Sequence, residues 1–125
     1  MNVREPNLTD DGVLKLIAKT REVVTVQVLD IRPTPNTYQH SIMVSDGFKR
    51  VSGFLYSVHA VKYYAFGNLD ENSVIDIKDY VIETYNDRPF VLINDLDIKD
   101  KSPGGIIGNP VLYTGRLIPE GSEND

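Results

Sequence analysis

The sequence predicts an all-β fold: a small five-stranded Greek-key barrel with one short helix at its start and another between the third and fourth strands. Three observations carry this prediction. Runs rich in β-branched residues recur along the chain, turn sequences such as "SDG" and "NDRP" separate them, and only two segments place apolar residues at helical spacing. The 125 residues, 41% of them hydrophobic, are enough for one core of ordinary size.

The first helix is predicted near the N terminus, where Thr9 or Asp10 is placed to act as the N-cap. Three residues at helical spacing form its predicted apolar stripe: Leu14, Ile17 and Ala18. The first strand follows as "VVTVQVLDI", residues 23–31. This run is apolar at both odd and even positions, so both of its faces are expected to meet the core, which a bend or a β-bulge would allow.

The second and third strands are predicted at residues 38–44 and 49–56, joined by a hairpin turn whose Asp-Gly pair is a strong turn sequence. The second helix is predicted from the apolar spacing in "SVHAVKYYAFGN", with Gly67 as its C-terminal stop. Two long antiparallel strands complete the set, at residues 74–85 and 90–98.

This order of strands and helices matches a barrel of the OB type. The barrel is expected to fill residues 1–105, and residues 106–125 to form an "IGNP" segment that packs back on the barrel, followed by the start of a flexible linker. The fold class alone leaves the function open, because OB barrels host binders of oligonucleotides, oligosaccharides and proteins.

The charge distribution limits the partners. The net charge of −5 argues against a domain that mainly binds nucleic acid, because phosphate binding needs clustered Lys and Arg side chains. Residues 1–60 carry seven Lys or Arg against six Asp or Glu, whereas residues 61–125 carry six against twelve. A local basic patch is therefore expected in the first half of the chain.

Several classes of function find no support in the sequence. The chain has no cysteine, and its two histidines lack a metal-ligand spacing. The run "GGIIGN" is not a phosphate-binding loop, and no catalytic motif is present, so neither enzymatic activity nor a cofactor is expected. No stretch is apolar and long enough for a membrane span or a secretory signal, which predicts an intracellular domain without a membrane partner.

Four short motifs carry a family resemblance. They are "VLDIRP" (residues 28–33), "VSDGF" (44–48), "SGF" (52–54) and "IGNPVLY" (107–113). Their order and spacing resemble the N-terminal domain of the large subunit of replication protein A, over most of the chain. The resemblance implies a nuclear OB domain that acts in DNA replication, repair and the damage response.

The resemblance also implies the partners. In that family the barrel groove docks acidic amphipathic helices of checkpoint, repair and replication proteins, while other subunits of the complex bind regions outside this chain. Affinity then comes from apolar anchors, and basic walls steer the acidic peptide. The domain itself is expected to be a monomer with only weak affinity for single-stranded DNA.

The residues expected in this groove are four basic side chains, one histidine and four apolar side chains for its floor: Arg32, Arg88, Lys49, Arg50, His40, Ile42, Val44, Leu55 and Val91. Arg32 and Arg88 match basic positions of the family. Lys49 and Arg50 have no counterpart there, and either supply compensating charge or decorate the exit of a hairpin. Most of the apolar candidates are also expected to serve the core, since a small barrel needs inward side chains.

The chain departs from the family pattern where basic residues are replaced by Gln39, Ser41 and Asn86. These losses weaken one wall of the groove. Single-stranded DNA binding is the alternative function, because OB grooves stack bases on aromatic residues. The candidates are Tyr56, Tyr80 and Tyr85 on the strands, with Phe54 close by. Acidic residues along the fourth strand oppose this alternative, since they repel phosphate.

Overall fold

The structure is a computed structural model that describes residues 8–34, 40–65, 67, 69–101 and 104–114. Its elements in chain order are α1 (Gly12–Ile17), β1 (Val24–Pro33), β2 (His40–Ser45), β3 (Lys49–Leu55), α2 (Val58–Ala65), β4 (Val74–Tyr85), β5 (Arg88–Asp100) and β6 (Val111–Leu112). Within these residues, no helix is long and apolar enough to cross a lipid bilayer.

Five strands close into a barrel. β1 pairs with β2 and β4, β2 pairs with β3, and β5 pairs with both β3 and β4, so every strand of the ring has two neighbours. All these pairs are antiparallel except β3 with β5. The predicted OB barrel with its two short helices is therefore confirmed, and β6 is a short addition that runs parallel to the first residues of β3.

The core fills the barrel because inward positions alternate with outward ones along the strands. Val24, Val26 and Val28 of β1 have no exposed surface, and the same holds for Ile75 and Ile77 of β4. The parallel contact between β3 and β5 is very close: a Cβ atom at Gly53 would overlap the carbonyl oxygen of Val91. Glycine is required there so that the two backbones can pair and the ring can close.

The predicted irregularity in β1 is confirmed. The register of the β1–β2 pair shifts between Val28 and Asp30, which marks a β-bulge. The bulge lets the first half of β1 pair with β4 and the second half with β2, so both faces of this apolar strand find cover.

The first helix forms where it was predicted, but its predicted cap is wrong, and of its predicted apolar stripe only Ile17 is buried. Its buried side chains are Val13, Leu16 and Ile17, whereas Leu14 is 37% exposed. Thr9 does not cap the helix. Its hydroxyl accepts the backbone N–H of Thr25 in β1, and its own N–H donates to the Thr25 carbonyl oxygen. The helix start is held by the Asp46 carboxylate, which accepts the backbone N–H of Val13 at 3.0 Å.

Turn chemistry explains the other boundaries. Gly67, the predicted C-terminal stop of α2, adopts a positive φ of 76° and donates its N–H to the carbonyl oxygen of Tyr64. Asn86 and Asp87 both have positive φ, as a two-residue type I′ hairpin requires. Because this turn is so tight, β5 begins at Arg88, two residues before the predicted start.

The segment after β5 is attached to the barrel. The buried side chain of Gln27 donates to the carbonyl oxygen of Gly105 at 2.7 Å and accepts the N–H of Ile107 at 2.8 Å. Val111 then donates its N–H to the carbonyl oxygen of Phe48, just before β3, and Tyr113 donates its N–H to Arg50 within β3. The tail that was predicted to begin a linker, residues 121–125, lies outside the described residues.

Candidate functional site

The strand register places one row of side chains across the outside of the barrel. Arg32 pairs with Ser41, Ser41 with Phe54, and Phe54 with Leu92. Paired residues on neighbouring strands point to the same side of a sheet. Arg32 of β1 therefore shares a surface with Leu92 of β5, three strands away.

We call this surface the outer face. It comprises Arg32 together with the outward side chains of β2, β3 and β5: Ser41, Met43, Arg50, Ser52, Phe54, Arg88, Phe90 and Leu92.

An aromatic strip crosses the outer face from the β4–β5 hairpin towards β3. The rings of Tyr85 and Phe90 meet edge to face with centroids 5.1 Å apart, and Phe90 stacks on Phe54 at 5.9 Å. Tyr85 remains 48% exposed. The strip therefore offers ring surface to a ligand at one end and is anchored in the barrel wall at the other.

Leu92 gives the outer face an apolar floor. It points outward yet is only 4% exposed, and it lies outside the core cluster within the barrel. Its cover therefore comes from outward neighbours such as Phe54. An apolar ligand group that displaced part of this cover would meet an aliphatic surface.

Arg32 lies at the end of β1, with 75% of its side chain exposed. Its Nε is 2.9 Å from Oδ2 of Asp30, which lies two residues earlier on the same strand. An exposed pair of this kind contributes little to stability. It orients the guanidinium on the outer face while leaving its other nitrogens available to a ligand.

The two other arginines of the outer face have different environments. Arg88 is exposed at the first position of β5 and pairs with Tyr85 across the hairpin. Arg50 is half-buried on β3 opposite Ser45, and its Nε has neither accessible surface nor a hydrogen-bond partner among the described residues. The outer face thus has one exposed cation beside the aromatic strip, Arg88, and one enclosed cation further along β3, Arg50.

The predicted apolar floor lies elsewhere. Side chains that were expected to line the groove fill the barrel instead, with between 0 and 2% of their surface exposed: Ile42, Val44, Leu55 and Val91. Their alternation along the strands turns them inward, so they offer no surface to a ligand. The expectation that they form a groove floor is therefore corrected.

Two polar candidates also lie off the outer face. His40 is 8% exposed, has the inward parity of β2, and meets the ring of Tyr64 edge to face at 5.2 Å. Lys49 has the opposite parity to Arg50 at the start of β3. Of the nine residues expected in the groove, the structure brings only Arg32, Arg50 and Arg88 to one surface. Gln39, the first of the positions at which a basic residue of the family is replaced, lies outside the described residues.

Sequence reasoning missed four members of the outer face: Met43, Ser52, Phe90 and Leu92. Strand parity would have found them. Once Ile42 and Val44 are assigned to the core, Met43 must point outward, and the same logic on β5 places Phe90 and Leu92 on either side of inward Val91.

Negative charges surround the outer face. Asp30 pairs with Met43 and Glu83 pairs with Phe90, so each lies at a border of the face. Further round the barrel, the hydrogen bond that Lys78 donates to Asp97 raises the pKa of Lys78, and the negative charges of Asp97 and Asp95 add smaller contributions. Among the described residues, no group of three or more His, Asp or Glu side chains is placed to hold a metal ion.

These features define an OB-fold binding domain whose outer face combines an aromatic strip with arginines. The match to known proteins agrees with this class. The family model described as "Replication factor-A protein 1, N-terminal domain" matches residues 8–100, and the chain belongs to this family.

A curated relative extends the comparison. The replication protein A 70 kDa DNA-binding subunit of Mus musculus is 32% identical over 94 residues, which cover 70% of this chain and 15% of the relative. The matched region therefore corresponds to a small part of that subunit.

Proposed function

We propose that this domain is a protein-recruitment module of a replication protein A complex, in which the outer face docks acidic amphipathic helices of replication, repair and checkpoint proteins in the nucleus. The observation that carries the proposal is the position of the aromatic strip beside Arg32 and Arg88 on one surface. Other subunits would bind regions outside this chain.

The two parts of the outer face suit the two faces of such a helix. Apolar side chains at helical spacing would pack on the rings of Phe54, Phe90 and Tyr85, which supply most of the affinity. Carboxylates on the helix flanks would bond to the guanidinium groups, which fix the direction and register of the peptide.

A charge reversal tests this proposal. Arg88→Glu is expected to weaken binding of an acidic amphipathic peptide by about tenfold, because an attractive contact becomes a repulsive one. Isothermal titration calorimetry on the 125-residue chain measures the affinity. Lys62→Glu is the matched control, since it makes the same charge change at an exposed position of α2.

A second variant tests the apolar half. Tyr85→Ala removes the exposed ring of the aromatic strip and is expected to weaken the same peptide without loss of the β-sheet signal in circular dichroism. Equal affinities for the unsubstituted chain, Arg88→Glu and Tyr85→Ala would contradict docking on the outer face.

Weak binding of single-stranded DNA is the second candidate, and the aromatic strip favours it, because bases stack on exposed rings in OB folds. Asp30 and Glu83 at the borders oppose it, since each would repel a phosphate. Affinity for an oligo-dT strand is therefore expected to be low and to fall steeply with salt. Competition between oligo-dT and the peptide would place both on the outer face.

A further inference from the structure

A second surface of interest is a pocket of about 550 Å³ between β4 and the segment that joins α1 to β1. Lys19 and Arg21 line it from the segment, and Lys78, Asp79 and Tyr80 line it from β4. Val81 also lines the pocket and pairs with Leu92, so the pocket adjoins the outer face. Its charged side chains do not belong to the outer face, and the recruitment function proposed above does not use them.

The pocket exists because β1 begins opposite Ile77, so β1 does not cover the rest of β4. The two strands pair only from Val24 to Gln27, whereas β4 continues to Tyr85. Before Val24 the backbone turns away through Lys19 and Arg21, whose φ angles of 60° and 69° are in the left-handed region. Residues other than glycine adopt this backbone conformation at a cost in free energy, and such residues cluster at functional sites.

The pocket has a positive balance of charge. Three of its lining side chains are cationic and one, Asp79, is anionic. Lys78 also contacts Asp97 at 3.4 Å, in an exposed pair that leaves two of its three protons available. Lys19 and Arg21 face Lys78 from the opposite wall, so an anion between them would meet cations from both sides.

Tyr80 provides an independent observation. Its hydroxyl has no accessible surface, and no group among the described residues meets it with hydrogen-bond geometry. Burial raises the pKa of Tyr80; the backbone and the charge of Arg21 oppose this shift, and the charge of Glu22 adds to it. A buried hydroxyl without a partner costs free energy, so a ligand oxygen that opened access to it beside Arg21 would gain a hydrogen bond.

We propose that this pocket binds a single phosphate group carried by a peptide side chain. A phosphate monoester has close to two negative charges and three acceptor oxygens, enough to engage cations on both walls at once. A longer polyanion fits less well. A nucleic-acid strand leaving the pocket would bring its next phosphates towards Asp97 and Glu22, which repel them in addition to Asp79 in the pocket.

The test uses the 125-residue chain labelled for NMR. Inorganic phosphate, a short phosphoserine peptide, the same peptide without phosphate, and oligo-dT are titrated separately at one salt concentration. We expect the phosphopeptide and inorganic phosphate to shift the amide signals of Lys19, Arg21 and Tyr80, and the unphosphorylated peptide to leave them unchanged. A stronger response to the phosphopeptide than to inorganic phosphate identifies the peptide source.

Variants make the assignment specific. Arg21→Asn removes the charge but keeps a residue that tolerates positive φ, and it is expected to weaken phosphopeptide binding about tenfold. Lys62→Gln, which removes one exposed charge on α2, is the control and should bind as the unsubstituted chain does. Arg88→Glu should also leave this binding unchanged, which separates the pocket from the outer face.

Two results would overturn the proposal. One is the absence of shifts at Lys19, Arg21 and Tyr80 with either phosphate compound. The other is a shift at these residues caused by oligo-dT at lower concentration than by the phosphopeptide, which would assign the pocket to nucleic acid.

Discussion

Arg32 ends β1 in an exposed position, and its guanidinium is already paired with Asp30 at 2.9 Å. A carboxylate on a docked helix would either bind the remaining guanidinium nitrogens beside Asp30 or replace Asp30 at Nε. Because the pair is exposed, water and salt screen it, and exchanging one carboxylate for another costs little. Arg32 thus remains available for binding despite its internal partner.

This competition gives a two-sided prediction. Arg32→Glu is expected to weaken an acidic amphipathic peptide about tenfold, whereas Asp30→Asn should strengthen it a few-fold, about two to five times, because the competing charge is gone. Fluorescence anisotropy of a labelled peptide measures both. If Arg32→Glu binds with unchanged affinity, Arg32 is not part of the site.

Tyr80 gives a prediction about stability. Tyr80→Phe removes a buried hydroxyl that has no partner among the described residues, so the free energy of unfolding should stay equal or rise by up to about 1 kcal/mol at neutral pH. Urea denaturation measures the difference. A clear loss of stability would indicate that the hydroxyl has a structural partner.

The same residue predicts a pH dependence. Burial raises the pKa of Tyr80 above its ordinary value of 10.0, so the folded chain holds this proton more tightly than the unfolded chain does. The resulting contribution to stability is complete below pH 10.0 and disappears as the pH rises through the folded-state pKa. Above pH 10.0 the unsubstituted chain should therefore lose stability relative to Tyr80→Phe. Parallel pH profiles for the two chains would contradict the shift.

Among the elements, the β2–β3 turn does more than reverse the chain. The Asp46 carboxylate is 4% exposed and accepts three backbone N–H groups, from Val13 at 3.0 Å, Phe48 at 2.9 Å and Lys49 at 2.8 Å. One side chain thus closes the hairpin and fixes the start of α1. This explains how a six-residue helix without a side-chain cap of its own holds its place.

Asp46→Ala is therefore expected to cost about 3 kcal/mol, since three donors lose their acceptor and one of them is buried. Asp46→Asn keeps one acceptor oxygen and should cost less. Thermal unfolding followed by circular dichroism ranks the two variants. An alanine variant as stable as the unsubstituted chain would show that α1 and the hairpin are held by other contacts.

The elements were predictable where local chemistry decides them. The strands follow from β-branched runs, and the turns follow from Asp-Gly and Asn-Asp pairs that accept positive φ. The buried face of α1 could be predicted, because Val13, Leu16 and Ile17 are apolar at i, i+3 and i+4. The contact that holds its start could not, because Asp46 is 33 residues away from Val13.

At the scale of the whole molecule, the C-terminal segment completes the barrel. Gln27 lies within β1 with no exposed side-chain surface, and its amide group bonds to Asn72, Gly105 and Ile107. Two of these three partners lie beyond β5. The polar side chain in an otherwise apolar strand therefore serves to attach the segment that follows the barrel.

Truncation tests this attachment. A chain that ends at residue 104 should be less stable by about 2 kcal/mol than one that ends at residue 114, because the Gln27 oxygen loses its donor and β6 is missing. Urea denaturation of the two chains measures the difference. Equal midpoints would mean that the segment contributes nothing to the fold.

The outer face could be predicted in part from the sequence, whereas the pocket beside β4 could not. Arg32 and Arg88 could be placed from motifs, and parity alone would have added Phe90 and Leu92 to the outer face. The pocket beside β4 could not be predicted, because it arises where residues before Val24 turn away from β4. No local sequence pattern predicts that the backbone before Val24 turns away from β4.

The measurement that tests the central claim most directly is an NMR titration of the labelled 125-residue chain with an acidic amphipathic peptide, repeated with oligo-dT at the same moderate salt. Docking on the outer face predicts that the peptide shifts Arg32, Phe54, Arg88 and Leu92 at lower concentration than oligo-dT does. If only oligo-dT shifts these residues, the outer face is a nucleic-acid surface and the recruitment function is wrong.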